Sequence, residues 1–142
     1  MRYLREELIR FRHCDPAGIV FYPRYLEMLN DTVEDWFDEM GFPFQEMKGR
    51  YGAGVPTVNL NIRFTQPCRQ GERLLLALSC LKQGDSSIEI AIEGARRGQT
   101  VLEARIVLCF TTVGETIGKL SIPLEIRRQV AKYIRTEASV GA

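Results

Sequence analysis

Residues 23–41 read PRYLEMLNDTVEDWFDEMG, and residues 58–64 read VNLNIRF. In the first stretch Leu26, Leu29, Val33, Trp36 or Phe37, and Met40 recur at helical spacing, which predicts one long amphipathic helix. Pro23 suits its first position, where an N–H would be unpaired anyway, and Gly41 with Pro43 beyond it supplies the stop. In the second stretch the period falls to two. Val58, Leu60, Ile62 and Phe64 alternate with Asn59, Asn61 and Arg63, the pattern of a strand with one face on a core. Leu74, Leu76, Leu78 and Cys80 then share one parity, as do Ile88, Ile90 and Ile92, and Leu102, Ala104, Ile106, Leu108 and Phe110.

Around these rows, Gln83-Gly84-Asp85-Ser86 and Arg97-Gly98-Gln99 are turn signals short enough for antiparallel hairpins. Upstream, Tyr3 to Arg12 reads as a strand, with Ile9 and Phe11 set against Arg10 and Arg12. Pro43 to about Pro56, which holds Gly49, Gly52 and Gly54, reads as a loop. Pro123 opens a last amphipathic helix with Ile126, Val130 and Ile134. One strand, one long helix, four strands and a terminal helix make an α+β domain spanning 1–142, the helix packed across one face of an antiparallel sheet. Asn59, Asn61, Arg63, Glu89 and Glu93 fall on the other face, which is expected to be wet or covered by a partner subunit.

The 142 residues suffice for a single core, and 45% apolar with 26% charged residues is an ordinary globular balance. Nineteen Lys and Arg against eighteen Asp and Glu leave a net charge of +1, so no overall field draws the chain to nucleic acid or to an anionic membrane. No apolar run approaches the roughly 20 residues of a membrane span, and the polar start lacks a secretory h-region, so the expected address is the cytoplasm. Cys14, Cys68, Cys80 and Cys109 match neither a CxxC pair nor a zinc spacing and read as reduced thiols. His13 is the single histidine. No multi-histidine metal site can form.

The chemistry points to His13-Cys14-Asp15-Pro16-Ala17-Gly18-Ile19-Val20-Phe21-Tyr22-Pro23. Here an acidic turn, in which Gly18 can take a conformation closed to other residues, leads straight into a helix N-terminus. The N–H groups of Tyr22, Arg24 and Tyr25 would carry partial positive charge there and could bind a carbonyl oxygen that becomes anionic during acyl transfer. Asp15 could attack a thioester carbonyl or take a proton from water. It could also simply cap its own turn through an Asx bond, and the local sequence leaves both roles open. On an extended chain His13 would point to the same side as Asp15 and could tune it, or it could be a satisfied structural residue at the strand end. Cys14 has no second base beside it.

The run DPAGIVFYPRYLEMLND, following FRHC, resembles the active-site motif of hot-dog-fold acyl-CoA thioesterases of the 4-hydroxybenzoyl-CoA thioesterase type. The resemblance implies a hot-dog fold, an antiparallel sheet wrapped around a long central helix, with the site built between subunits of a dimer or homotetramer. It implies hydrolysis of an acyl-CoA thioester carrying an aromatic or short acyl group. Asp15 would be the nucleophile or general base and the Tyr22 amide would polarise the carbonyl, with His13 and Gly18 in support. No metal or redox cofactor is implied, coenzyme A being part of the substrate. Tyr22 stands where related Tol-Pal-type enzymes have a histidine, which favours aromatic acyl groups. One feature departs from the family. Its basic residues in the turn after the second late strand are replaced here by Gln83-Gly84-Asp85-Ser86, with only Lys82 nearby. Arg69, Arg96 and Arg97 are then candidates for the coenzyme A phosphates or plain surface charges. Asn30 and Asp31 could line the pocket or face water. Asn61 and Arg63 could serve the acyl pocket or a subunit contact. The rival function is a non-catalytic acyl-CoA-binding hot-dog subunit. A hot-dog dehydratase fits less well, because its motif histidine has no counterpart.

Overall fold

The structure, a computed structural model, describes residues 1–135. In chain order it contains β1 (Tyr3–Leu8), a 3-10 turn (Phe11–His13), α1 (Pro23–Glu39), α2 (Phe44–Tyr51), β2 (Ala53–Gly54), β3 (Thr57–Phe64), β4 (Arg73–Gln83), β5 (Ser87–Arg96), β6 (Gln99–Cys109), β7 (Thr111–Thr112) and α3 (Leu124–Ala131). Five strands form one antiparallel sheet in the order β1-β4-β5-β6-β3, and β2 pairs with β7. This is the hot-dog architecture. No helix among the described residues is long and apolar enough to cross a membrane.

The long helix forms where the 3.6-residue period placed it. Tyr25, Met28, Leu29, Val33, Trp36 and Phe37 of α1 are all buried. They meet the single-parity rows of the sheet: Leu74, Leu76, Leu78 and Cys80 of β4, Ile88, Ile90 and Ile92 of β5, and Leu102, Ala104, Ile106 and Leu108 of β6 are buried too. Each large side chain so buried contributes about 1.5–3 kcal/mol. Trp36 packs edge-on to Phe37 and Tyr133, at centroid distances of 5.3 and 5.5 Å. Gly94 lets the sheet close over this core, since a Cβ there would lie 3.0 Å from Leu102 Cγ and 3.2 Å from Leu74 Cδ1.

Several expectations are corrected. β1 ends at Leu8, opposite Arg73; Ile9 still donates its N–H to Glu72 O at 2.9 Å and accepts the Gly71 N–H at 2.8 Å, and the chain then turns at Phe11–His13. Ile9 is buried while Phe11, in the 3-10 turn, is 81% exposed, and the two do not share a face. The segment expected to be a loop holds α2, whose Phe44, Met47 and Tyr51 pack on the core despite Gly49, with Gly52 closing the helix in the left-handed region at φ 61°. α3 stops at Ala131, so Ile134 lies past it, bridged in parallel to Cys80. β3 pairs with β6 at the edge of the sheet. Its apolar parity shares the core side, since Leu60, Ile62 and Phe64 pair with buried Ile106, Ala104 and Leu102 of β6, but only Ile62 is packed on the core. Val58, Leu60 and Phe64 are 59%, 44% and 46% exposed, because β3 is the outer edge of the sheet and has no strand beyond it.

Removing the aromatic ring at the centre of the helix stripe is expected to be costly. Phe37→Ala should lower unfolding free energy by roughly 3–5 kcal/mol in urea titration; a loss below about 1 kcal/mol would show that the stripe is not the main core contact.

Candidate active site

Asp15-Pro16-Ala17-Gly18 is a tight reverse turn. Gly18 N–H donates to Asp15 O and Asp15 N–H to Ile19 O, both at 2.9 Å, and Gly18 sits at φ 81°, which a side chain would strain. Cys14 and Val20 bridge across it. Two further bonds fasten the returning arm: Val20 N–H donates to Cys68 O and Phe21 N–H to His13 O, each at 2.9 Å. The chain then enters α1, with Tyr22 already at helical angles.

This entry leaves one donor over. Pro23 has no N–H. Arg24 N–H is taken by Phe21 O at 2.9 Å and Tyr25 N–H by Tyr22 O at 3.0 Å, so neither is the free donor that the sequence suggested. Among the described residues the Tyr22 N–H has no acceptor, and it sits at the positive end of a 17-residue helix. The Tyr22 ring is exposed.

Asp15 is half-buried, and its Oδ1 accepts the Ala17 N–H at 2.8 Å, so the Asx bond is formed. That bond occupies one carboxylate oxygen. His13 does not take the position expected beside Asp15, because the 3-10 turn breaks the extended alternation. Its ring is buried and aims elsewhere: Nδ1 accepts the Arg10 N–H at 2.8 Å, and Nε2 faces Glu7 Oε1 at 3.9 Å. Burial, helped by Arg12, Arg10 and Arg24 and opposed by Glu7, holds the imidazole below its ordinary value. A polar cavity of about 240 Å³ adjoins it, lined also by Glu7, Arg12, Arg24, Glu27 and Asp31.

On the other side of the helix entrance lies a more apolar groove of about 290 Å³, lined by Val20, Tyr22, Tyr25, Phe64, Gln66 and Pro67. The Tyr25 and Phe64 rings are 5.4 Å apart. Tyr25 Oη accepts the Cys68 N–H at 3.2 Å, and burial raises both the Tyr25 phenol and the Cys68 thiol, so both stay neutral at neutral pH. Phe64 and Pro67 escaped the sequence reading as site residues. Phe64 stood on an apolar row taken for core, and Pro67 carried no signal.

The remaining candidates lie apart from this entrance. Asn30 is exposed on α1. Asn61 and Arg63 line a separate cavity of about 340 Å³ with Glu93, Glu103 and Arg105 on the sheet. Lys82 is exposed opposite Glu89, at the far end of the β4–β5 ladder from Arg96. Arg96 is engaged by Pro67 O, Gln66 and Glu72, while Arg69 and Arg97 are exposed.

Comparison with known proteins agrees with this architecture. Residues 17–103 match the family model described as the thioesterase superfamily. A 4-hydroxybenzoyl-CoA thioesterase from Pseudomonas sp. (strain CBS-3) is 31% identical over 80 residues, 55% of this chain and 56% of that one. A 1,4-dihydroxy-2-naphthoyl-CoA hydrolase from Nostoc punctiforme is 24% identical over 93 residues, 66% of this chain and 63% of that one. The chain thus spans less than two thirds of the length of either curated relative. The solved 4-hydroxybenzoyl-CoA thioesterase from Pseudomonas sp. strain CBS-3 superposes with a TM-score of 0.84 at 24% identity, covering 90% of this chain and 98% of that one. A 1,4-dihydroxy-2-naphthoyl-CoA thioesterase from Synechocystis gives 0.84 at 20% identity, with 92% and 96% covered.

The strained position in the turn yields a direct check. Gly18→Ala should cost about 1–2 kcal/mol, read from urea unfolding, because its φ lies in the left-handed region; unchanged stability would mean that the turn relaxes freely.

Proposed function

The chain belongs to the thioesterase superfamily, and on that premise we propose that it hydrolyses acyl-CoA thioesters at the entrance of α1. The observation that carries the reading is the Tyr22 N–H: a backbone donor with no acceptor among the described residues, at a helix N-terminus, beside an apolar groove. A thioester carbonyl seated there gains more from that donor as its oxygen becomes anionic, so the interaction favours the transition state over the substrate.

Asp15 supplies the electrons. Its Oδ1 is held by Ala17 N–H, and the carboxylate either attacks the carbonyl carbon, giving an acyl anhydride that water then opens, or takes a proton from the water that attacks. In both routes the carbon–sulfur bond breaks, coenzyme A leaves as its thiolate and the acid is released. No metal or redox cofactor enters these steps. Gly18 keeps the turn, and so the carboxylate, in register with the helix entrance. The Tyr25 and Phe64 rings suit an aromatic acyl group, in line with the hydroxybenzoyl and dihydroxynaphthoyl thioesters named for the relatives. Exposed Arg69 and Arg97 are better placed than the engaged Arg96 to meet coenzyme A phosphates.

The groove is open beside Phe64, on the unpaired edge of β3, where Val58 and Leu60 also face solvent. A second copy laid along that edge would cover these side chains, pair the free backbone groups and complete the groove, so a dimer or tetramer is the working form. Four free cysteines suit a reducing compartment, the cytoplasm.

An acyl-CoA panel with a thiol reagent tests the activity. Aryl-CoA substrates should release coenzyme A with kcat/KM at least about tenfold above short aliphatic ones, and Asp15→Asn should lower kcat by about a hundredfold or more with the fold intact. Tight binding without coenzyme A release would leave a carrier or assembly subunit in place of an enzyme. Leu60→Lys on the β3 edge should shift sedimentation toward the monomer; an unchanged oligomer would place the subunit contact elsewhere.

A further inference from the structure

We propose that His13 is a positioning residue that holds the entrance of α1 in its working geometry only while its ring is neutral, so that one proton gained at Nδ1 releases it. The inference rests on the roles proposed above for Asp15 and the Tyr22 amide.

Three hydrogen bonds converge on this one residue. Its N–H donates to Arg10 O at 3.0 Å, its ring Nδ1 accepts the Arg10 N–H at 2.8 Å, and its carbonyl accepts the Phe21 N–H at 2.9 Å. The first two lock the 3-10 turn, and the third ties that turn to the residue immediately before Tyr22. Asp15 lies in the segment strung between these anchors, so the 3-10 turn sets the distance between carboxylate and amide donor.

The ring bond depends on protonation state. An acceptor Nδ1 carries no hydrogen, so the neutral ring bears its proton on Nε2, toward Glu7. In the imidazolium, Nδ1 becomes a second donor aimed at the Arg10 N–H from 2.8 Å, and that contact must open. The groups facing the ring come from every side: Glu7 from β1, itself bonded to Arg5 at 3.0 Å; Arg10, just before the 3-10 turn, and Arg12 within it; and Arg24, Glu27 and Asp31 from α1. Arg24 is paired with Glu27 at 2.7 Å. Burial and the arginines outweigh Glu7 and depress the folded ring below its ordinary 6.5. The sign follows. The unfolded ring binds the proton more readily, so the stabilisation is full above about pH 6.5 and is lost as pH falls through the folded value.

His13 is the only histidine, so its ring signals in a ¹⁵N-histidine-labelled sample need no assignment. At pH 8 the expected state is Nδ1 bare and Nε2 protonated, and on acidification the Arg10 and Phe21 amide resonances should move with the ring's own midpoint, below 6.5. A ring protonated on Nδ1 at pH 8, or a ring titration that leaves both amides unmoved, would overturn the proposal. This arm needs no turnover, so a chain that hydrolyses no acyl-CoA overturns only the thioesterase reading. In the kinetic arm, wild-type kcat should fall about tenfold per pH unit below the ring midpoint, with KM nearly constant. His13→Asn, whose Oδ1 accepts the same bond with no proton to gain, should lack that inflection, whereas His13→Leu should lose kcat at every pH. An identical acid limb in wild type and His13→Asn would refute the positioning role, and if neither variant folds the amide titration decides.

Discussion

Burying Met28, Leu29, Val33, Trp36 and Phe37 of α1 against the aliphatic rows of β4, β5 and β6 fixes the helix axis, and with it the point where the first turn reaches the surface. A helix held along its whole apolar stripe cannot shift its N-terminus without opening the core. The first turn then divides its donors unequally. Proline removes one, two return to Phe21 and Tyr22 carbonyls, and the Tyr22 N–H is left. The placement of that donor is therefore a consequence of hydrophobic packing many residues away.

The acidic turn is joined to this fixed point by backbone bonds rather than by side-chain contacts. Cys68 O and His13 O receive the Val20 and Phe21 N–H groups on either side of the returning arm, so Asp15 is referenced both to the 3-10 turn and to the segment leading into β4. Such a frame fastens the acidic turn to the start of the helix without a large buried charge network. The polar cavity around His13 and the apolar groove around Tyr25 and Phe64 lie on two sides of this frame, which separates the groups that set its shape from those suited to hold an acyl chain.

Much of the fold was legible because its strongest signals are periodic. The rows of β4, β5 and β6 are buried as their spacing required, as is the α1 stripe from Leu29 to Met40, although at its start Tyr25 and Met28 are buried and Leu26 only half so, and the DPAG turn is where its residues demanded one. The rest was lost for identifiable reasons. The apolar row of β3 resembles the others, yet burial depends on where a strand lies in the sheet, and a lone sequence does not distinguish an edge from a centre. Phe44, Met47 and Tyr51 form a short helical face that glycines obscured. For the proposed site, Asp15, Gly18, His13 and Tyr22 were read from one contiguous segment. The direction of the His13 ring depended on a 3-10 turn that no residue announced, and the groove needed Phe64 and Pro67 from a distant part of the chain.

The acyl-CoA chemistry proposed for this frame rests on membership of the thioesterase superfamily, and the turn at Gly84, which carries Asp85 and no basic residue, calls for a different grip on the coenzyme. The most direct measurement is the amide spectrum of ¹⁵N-labelled protein titrated with a non-hydrolysable aryl-CoA ketone analogue. The Tyr22 amide proton is expected to move downfield by the largest amount of any amide, with Arg24 and Tyr25 nearly still because their N–H groups are already bonded. Saturable binding with the Tyr22 amide unmoved would contradict the assignment of this helix entrance as the place where the carbonyl is held.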